Sequence, residues 1–188
     1  MTAVSASAEL TYPLAALLAE PPGSRRDYAF DAVPVDLGDD LELATPVSGR
    51  VRFSRTNRGV LITGSVEAAL ALVCSRCLRP IELGLRATLN EEALPTIDLA
   101  SGRPLDPSVE PEIVRLTDHH EALLEPIVRE AIQLIEPIAP VCRPDCPGLC
   151  VVCGERLEDG PHSHDESSVD PRLEALRAFR VDGDAGTG

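Results

Sequence analysis

VSGRVRFSRTNRGVLITGSVEAALALVCSRCLRPIELGLRATLN, the stretch from Val47 to Asn90, decides the fold. Val51 and Phe53 alternate with Arg50 and Arg52, the period of a half-buried strand. Thr56-Asn57-Arg58-Gly59 supplies a turn. Val60 to Val66 and Ala69 to Val73 continue as strand, with Gly64 marking a bulge. Cys74-Ser75-Arg76-Cys77 forms a corner, after which Ile81, Leu83 and Leu85 alternate with Glu82 and Arg86 in a further strand. The pattern predicts an antiparallel sheet.

On the N-terminal side, residues 1–24 read as short strands or turns around the breaker Pro21-Pro22-Gly23-Ser24. On the C-terminal side, residues 91–117 are acidic and hold four prolines, which predicts a long mobile loop. Residues 121–136 read as a helix with Pro126 at its first position and an apolar face of Ile127, Val128, Ala131, Ile132, Leu134 and Ile135. Pro137 and Pro140 stop it. Asp170-Pro171-Arg172 opens a short terminal helix running to Phe179. The reading is α+β: an antiparallel β-rich core, one or two helices and a C-terminal part stapled by the six-cysteine, two-histidine donor set Cys74, Cys77, Cys142, Cys146, Cys150, Cys153, His162 and His164, whose thiols and imidazoles suit zinc. Residues 1–141 form the β-rich domain and its helix, 142–180 a cysteine/histidine segment with a terminal helix, and 181–188 a disordered tail.

Composition narrows the function. Aromatics make up 3% of the 188 residues and Trp is absent, so the core rests on Ala, Val, Leu and Ile, and stacking surfaces for bases are scarce. All 17 basic residues are Arg, which reads as GC-rich coding. The net charge of −14 argues against a general nucleic-acid binder and against DNA. The charge is uneven. Residues 91–141 carry 11 acids against 3 bases, whereas seven Arg lie between positions 50 and 86 against Glu67 and Glu82. The opening MTAVSASAEL lacks the basic and apolar regions of a signal peptide, and no run approaches the ~20 apolar residues of a membrane span. The expectation is a cytoplasmic protein away from membranes, whose six cysteines are metal ligands in preference to disulfides.

Cys142-x3-Cys146-x3-Cys150-x2-Cys153-Gly154 is the strongest chemical signal. Four thiols in twelve residues suit tetrahedral Zn²⁺, and Cys150-Val-Val-Cys153-Gly154 has the form of a zinc knuckle. Arg143 and Arg156 offer positive charge beside the thiolates. Cys74/Cys77 and His162/His164 bring the donors to eight, enough for one or two ions, with the grouping open. Four protein ligands leave no place for water, so a structural ion outranks a catalytic one. Arg50 and Arg52 share one strand face and Arg76 and Arg79 flank the Cys74/Cys77 corner; an Arg set of this kind suits phosphate contacts, and equally a solvated face paired with the chain's own acids. The sequence contains no G-x-S-x-G, P-loop, G-x-G-x-x-G after a strand, or H-E-x-x-H.

Four stretches resemble the bacterial YceD family, the large ribosomal RNA subunit accumulation proteins. They are Pro22-Gly23-Ser24-Arg25, Cys74-Ser-Arg-Cys77-Leu78, the long run from Pro137 through Cys142, Asp145-Cys146, Gly148-Leu149-Cys150 and Cys153-Gly154, and Asp170-Pro171-Arg172-Leu173 through Leu176. His162-Ser163-His164 stands where many members of that family have Cys-x-Cys, a change that still provides zinc donors. The resemblance implies a non-enzymatic role in large-subunit ribosomal RNA accumulation or processing. Large-subunit ribosomal RNA or its precursor is the implied partner, with Arg50, Arg52, Arg76 and Arg79 as its candidate RNA contacts, and a basic large-subunit ribosomal protein is a second. Two other classes compete: a zinc hydrolase or dithiol oxidoreductase, which needs an open metal position or a lowered thiol pKa, and a zinc-handling protein serving a ribosomal partner.

Overall fold

The computed structural model describes residues 10–38, 41–98, 101–106, 108, 110–161, 163–164 and 172. The terminal helix and the tail expected from sequence lie outside these residues, Arg172 excepted. Along the chain come β1 (Thr11–Pro13), α1 (Ala15–Leu18), β2 (Arg25–Val33), β3 (Glu42–Arg55), β4 (Val60–Val73), β5 (Pro80–Leu94), β6 (Val114–Arg115), β7 (Glu121–Leu123) and α2 (Leu124–Leu134). Strands β2-β3-β4-β5-β6 form one sheet, antiparallel except for the β5–β6 pair, and β1 pairs with β7 in a second, two-stranded sheet. The molecule is α+β with an antiparallel β-rich core, as the alternation of residues 47–90 predicts.

The three long strands carry one apolar and one polar face because side chains alternate with period two. Val47, Val51 and Phe53 of β3, Val60, Ile62 and Val66 of β4, and Ala87 and Leu89 of β5 are buried. Helix α2 packs on this face against β5, burying Leu124, Ile127, Val128 and Ile132. Tyr12, Tyr28 and Phe53 meet with ring centroids 4.9 to 5.7 Å apart, so three of the five aromatics of the chain are spent on the core. The opposite face stays polar. Arg50, Ser65 and Thr88 lie in one cross-strand row, and Arg52, Thr63 and Asn90 in the next.

Several boundaries differ from the sequence reading. Gly64 is not a bulge: β4 pairs without interruption from Val60 to Val73 with β5, and Gly64 faces Val51 and Leu89 in register. A Cβ at this position would run into the Arg50 carbonyl oxygen, so the glycine permits close approach of two backbones. The register shifts lie instead in β3 between Leu43 and Ser48, around Pro46, and in β2 between Phe30 and Val33. Pro46 has no N–H to offer the ladder, which accounts for a break there. The N-terminal stretch contains a short helix, α1, as well as strands. Residues 91–94 belong to β5 instead of a loop, and Ala93 and Leu94 pair with Val114 and Arg115 of β6. Residues Glu121–Leu123 are claimed by β1 as strand β7, so α2 begins at Leu124 and Pro126 is its third residue. There, as at the first position, an N–H would have no partner within the helix.

Candidate metal centre

The β4–β5 corner is built by Cys74, Ser75, Arg76 and Cys77, and residues 140–146 return to it after α2. The Ser75 N–H donates to the Pro140 carbonyl at 2.8 Å. That return brings the sulfurs of Cys74, Cys77, Cys142 and Cys146 within 4.8 Å of one another. Cys74 Sγ lies 3.9 Å from Cys146 Sγ, and Cys77 Sγ lies 3.8 Å from Cys142 Sγ. All six cysteines are free thiols. These separations are far beyond the ~2.05 Å of a disulfide. They match the edge of a tetrahedron of thiolates about 2.3 Å from a central Zn²⁺, which is about 3.8 Å. Cys74, Cys77 and Cys146 are buried at 0, 1 and 3% exposure and form a small core of their own, with Ile81, Val141 and Cys142 packed around them.

The electrostatics also suit a cation. The N–H groups of Cys77 and Cys142, then that of Arg76, point at the Cys74 sulfur and hold its thiol down to about 6, against the opposing effect of burial. The Cys142 N–H is 3.4 Å from that sulfur. Burial and the neighbouring thiols push Cys142 up to about 12. Burial likewise raises Cys146. Four crowded sulfurs cannot all ionise alone; a divalent cation at their centre removes the conflict.

Arginines fasten this corner. Arg76 Nη1 donates to the carbonyls of Pro144 and Cys146, each at 3.1 Å. Arg156 donates to the carbonyls of Cys77 at 2.8 Å and Leu78 at 3.4 Å. Arg79 pairs with Glu158 at 3.5 Å, and Arg143 with Asp145 and Glu158. Glu158, which receives two arginines, has no mark in the sequence that distinguishes it from the other acids.

The structure thus divides the run of four closely spaced cysteines. Cys142 and Cys146 join the distant pair Cys74/Cys77, while Cys150 and Cys153 lie with His164 in a second group whose donor atoms also fall within 4.8 Å. His162 lies outside the described residues. Of the four arginines singled out as RNA contacts, Arg76 and Arg79 hold the C-terminal segment. Arg52 pairs with Asp27 across β2–β3 at 2.6 Å, and Arg50, on the same outer face, has no ion pair among the described residues.

These features define a class: a β-sheet scaffold with a helix on one face and a cysteine-rich, metal-competent segment latched to one sheet corner. The chain belongs to the YceD family: residues 62–180 match the family described as large ribosomal RNA subunit accumulation protein YceD. The match takes in every cysteine and the strands β4 and β5 almost whole. The chain is 37% identical over 149 residues to uncharacterized proteins of Mycobacterium tuberculosis and Mycobacterium bovis, covering 78% of this chain and 65% of theirs. It is 30% identical over 140 residues to an uncharacterized protein of Mycobacterium leprae, covering 70% of this chain and 58% of that one. The chain therefore spans less than two thirds of the length of these relatives. No solved structure matches. The family description speaks of RNA accumulation and of no reaction. Among the described residues no helix is long and apolar enough to cross a membrane.

Proposed function

We propose that this protein is a cytoplasmic, non-enzymatic accessory factor in the accumulation and assembly of the large ribosomal subunit, with a structural Zn²⁺ held by Cys74, Cys77, Cys142 and Cys146. The observation that carries the reading is the family match over residues 62–180. The four-sulfur group supports a structural ion: four thiolates complete the tetrahedron and leave no position for a reacting water. The lowered Cys74 thiol, which would suit a redox enzyme, is accounted for by N–H groups aimed at its sulfur.

The partner surface we assign is the outer face of the sheet. Arg50 and Arg52 stand there beside Thr63, Ser65, Thr88 and Asn90. Such a surface suits the sugar–phosphate backbone. Base stacking is a poor fit, because Tyr12, Tyr28 and Phe53 pack together in the core. The acidic 91–141 segment offers complementary charge to a basic large-subunit protein. Tagged protein recovered from its own cells at moderate salt, with bound RNA sequenced and bound proteins identified, tests this. Enrichment of large-subunit ribosomal RNA or its precursor over a tag-only control is the expected result, reduced by Arg50→Glu with Arg52→Glu. Recovery of neither that RNA nor a large-subunit protein would overturn the proposal.

A further inference from the structure

The corner at Cys74 and the turn at Cys150 are built alike. In the first, the Cys74 N–H donates to the Arg79 carbonyl at 2.9 Å, and the Leu78 N–H donates back to the Cys74 carbonyl at 2.9 Å. In the second, the Cys150 N–H donates to the Glu155 carbonyl at 2.7 Å, and the Gly154 N–H donates back to the Cys150 carbonyl at 2.9 Å. The residue after the second cysteine is left-handed in both, with φ of +54° at Leu78 and +75° at Gly154. Leu78 accepts a conformation that is costly for a side chain with a Cβ. The same backbone formed at two places in one chain indicates the same local role, the presentation of two sulfurs to one ion. In the first turn the two facing donors, Cys142 and Cys146, are in place.

In the second turn a third donor is in place from elsewhere in the chain. A ring nitrogen of His164 lies within 4.8 Å of the sulfurs of both Cys150 and Cys153. The surroundings differ from those of the first group. Cys150 is buried at 8% exposure, but Cys153 and His164 are exposed. Arg156, which bridges from this turn to the carbonyls of Cys77 and Leu78, joins the two turns mechanically without sharing a donor.

We propose that Cys150, Cys153 and His164 hold a second metal ion of the zinc class, independent of the tetrathiolate and exchanging faster than it. Two thiolates and an imidazole select a borderline-soft cation over Mg²⁺ or Ca²⁺. The buried group is shielded by its own small core, whereas solvent and chelators reach Cys153 and His164 directly, and access of this kind governs exchange. An ion held there would tie His164 back to the Cys150–Gly154 turn. This inference does not depend on the ribosomal reading.

Native mass spectrometry of the full chain purified with zinc, followed by competition with a chromogenic chelator, tests it. Two ions per chain are expected, the first leaving about tenfold or more faster than the second. The double variant Cys150→Ser with Cys153→Ser should retain one ion, the slow one, and His164→Ala should accelerate only the fast phase. Stepwise Co²⁺ binding to the wild-type chain provides a readout that needs no variant: a tetrathiolate spectrum first, then a distinct thiolate–imidazole one. A single ion in the wild type, or two ions surviving in the double variant, would overturn the proposal. So would a Co²⁺ titration that saturates with tetrathiolate character alone. None of these outcomes bears on RNA capture, so failure here and failure of the ribosomal reading remain distinguishable.

Discussion

Replacing Cys142 by Ser removes one corner of the four-sulfur group and should release the C-terminal segment while sparing the sheet. A metal ion held there, as proposed, would join Cys77 to Cys142, 65 residues apart. Treated as a cross-link, closing a loop of that length is worth about 4 kcal/mol. What remains at the corner is modest: the Ser75–Pro140 backbone bond, the carbonyl contacts of Arg76 and Arg156 and the pairs of Arg79 and Arg143. Exposed and part-buried contacts of this kind contribute about 1 kcal/mol apiece. The cysteine group is a separate small core from the main one under α2. Local opening should therefore precede global unfolding. At about 1.4 kcal/mol per factor of ten, amide exchange between residues 140 and 158 should accelerate about a thousandfold in Cys142→Ser. Amides in the centre of β3 and β4 should change little. Hydrogen exchange read by mass spectrometry checks this, and a strong chelator on the wild type should reproduce it. Unchanged protection of 140–158, or loss of the whole sheet in one step, would refute the reasoning.

Three further outcomes are expected. Phe53→Ala, at the centre of the Tyr12–Tyr28–Phe53 ring cluster, should lose about 3–5 kcal/mol in denaturant unfolding; a loss below about 2 kcal/mol would mean that the rings collapse into the space. Tyr12→Phe removes a buried hydroxyl that has no hydrogen-bond partner among the described residues, and should raise stability by about 1 kcal/mol, or a few degrees in Tm; a fall in Tm would count against it. Arg52→Ala should let the Asp27 carboxyl rise toward its ordinary value, read by NMR titration. The hydrogen bond from Arg52 holds it down in the folded chain, so the pair's small contribution is present above about pH 4 and is lost as pH falls through the lowered pKa.

Alternation alone made the sheet legible. Val51, Phe53, Ile62 and Val66 sit at period two, and nothing distant is needed to decide that such a chain pairs with its neighbour across a short turn. The presence of α2 was equally local, since its apolar residues repeat with the helical period. Its start was not, because β1, more than a hundred residues earlier, takes Glu121–Leu123 as a strand partner. Gly64 looked like a bulge because glycine in a strand permits either a bulge or a close approach, and only the register across three strands distinguishes them.

For the candidate site, the sequence determined the donor types and the two Cys-x-x-Cys turns, which are properties of residues a few positions apart. It could not determine which pairs share an ion. Cys142 and Cys146 are near Cys150 in sequence, yet the path of α2 and its Pro137–Pro140 exit delivers them to a strand corner some 65 residues earlier. Likewise, an arginine beside a cysteine reads the same whether it faces RNA or a carbonyl of its own chain. Arg76 and Arg156 face carbonyls because the returning segment presents its backbone to that corner. Periodicity and short-range chemistry are written in the sequence; the grouping of sulfurs and the direction of each guanidinium arise from long-range packing, which tertiary structure alone decides.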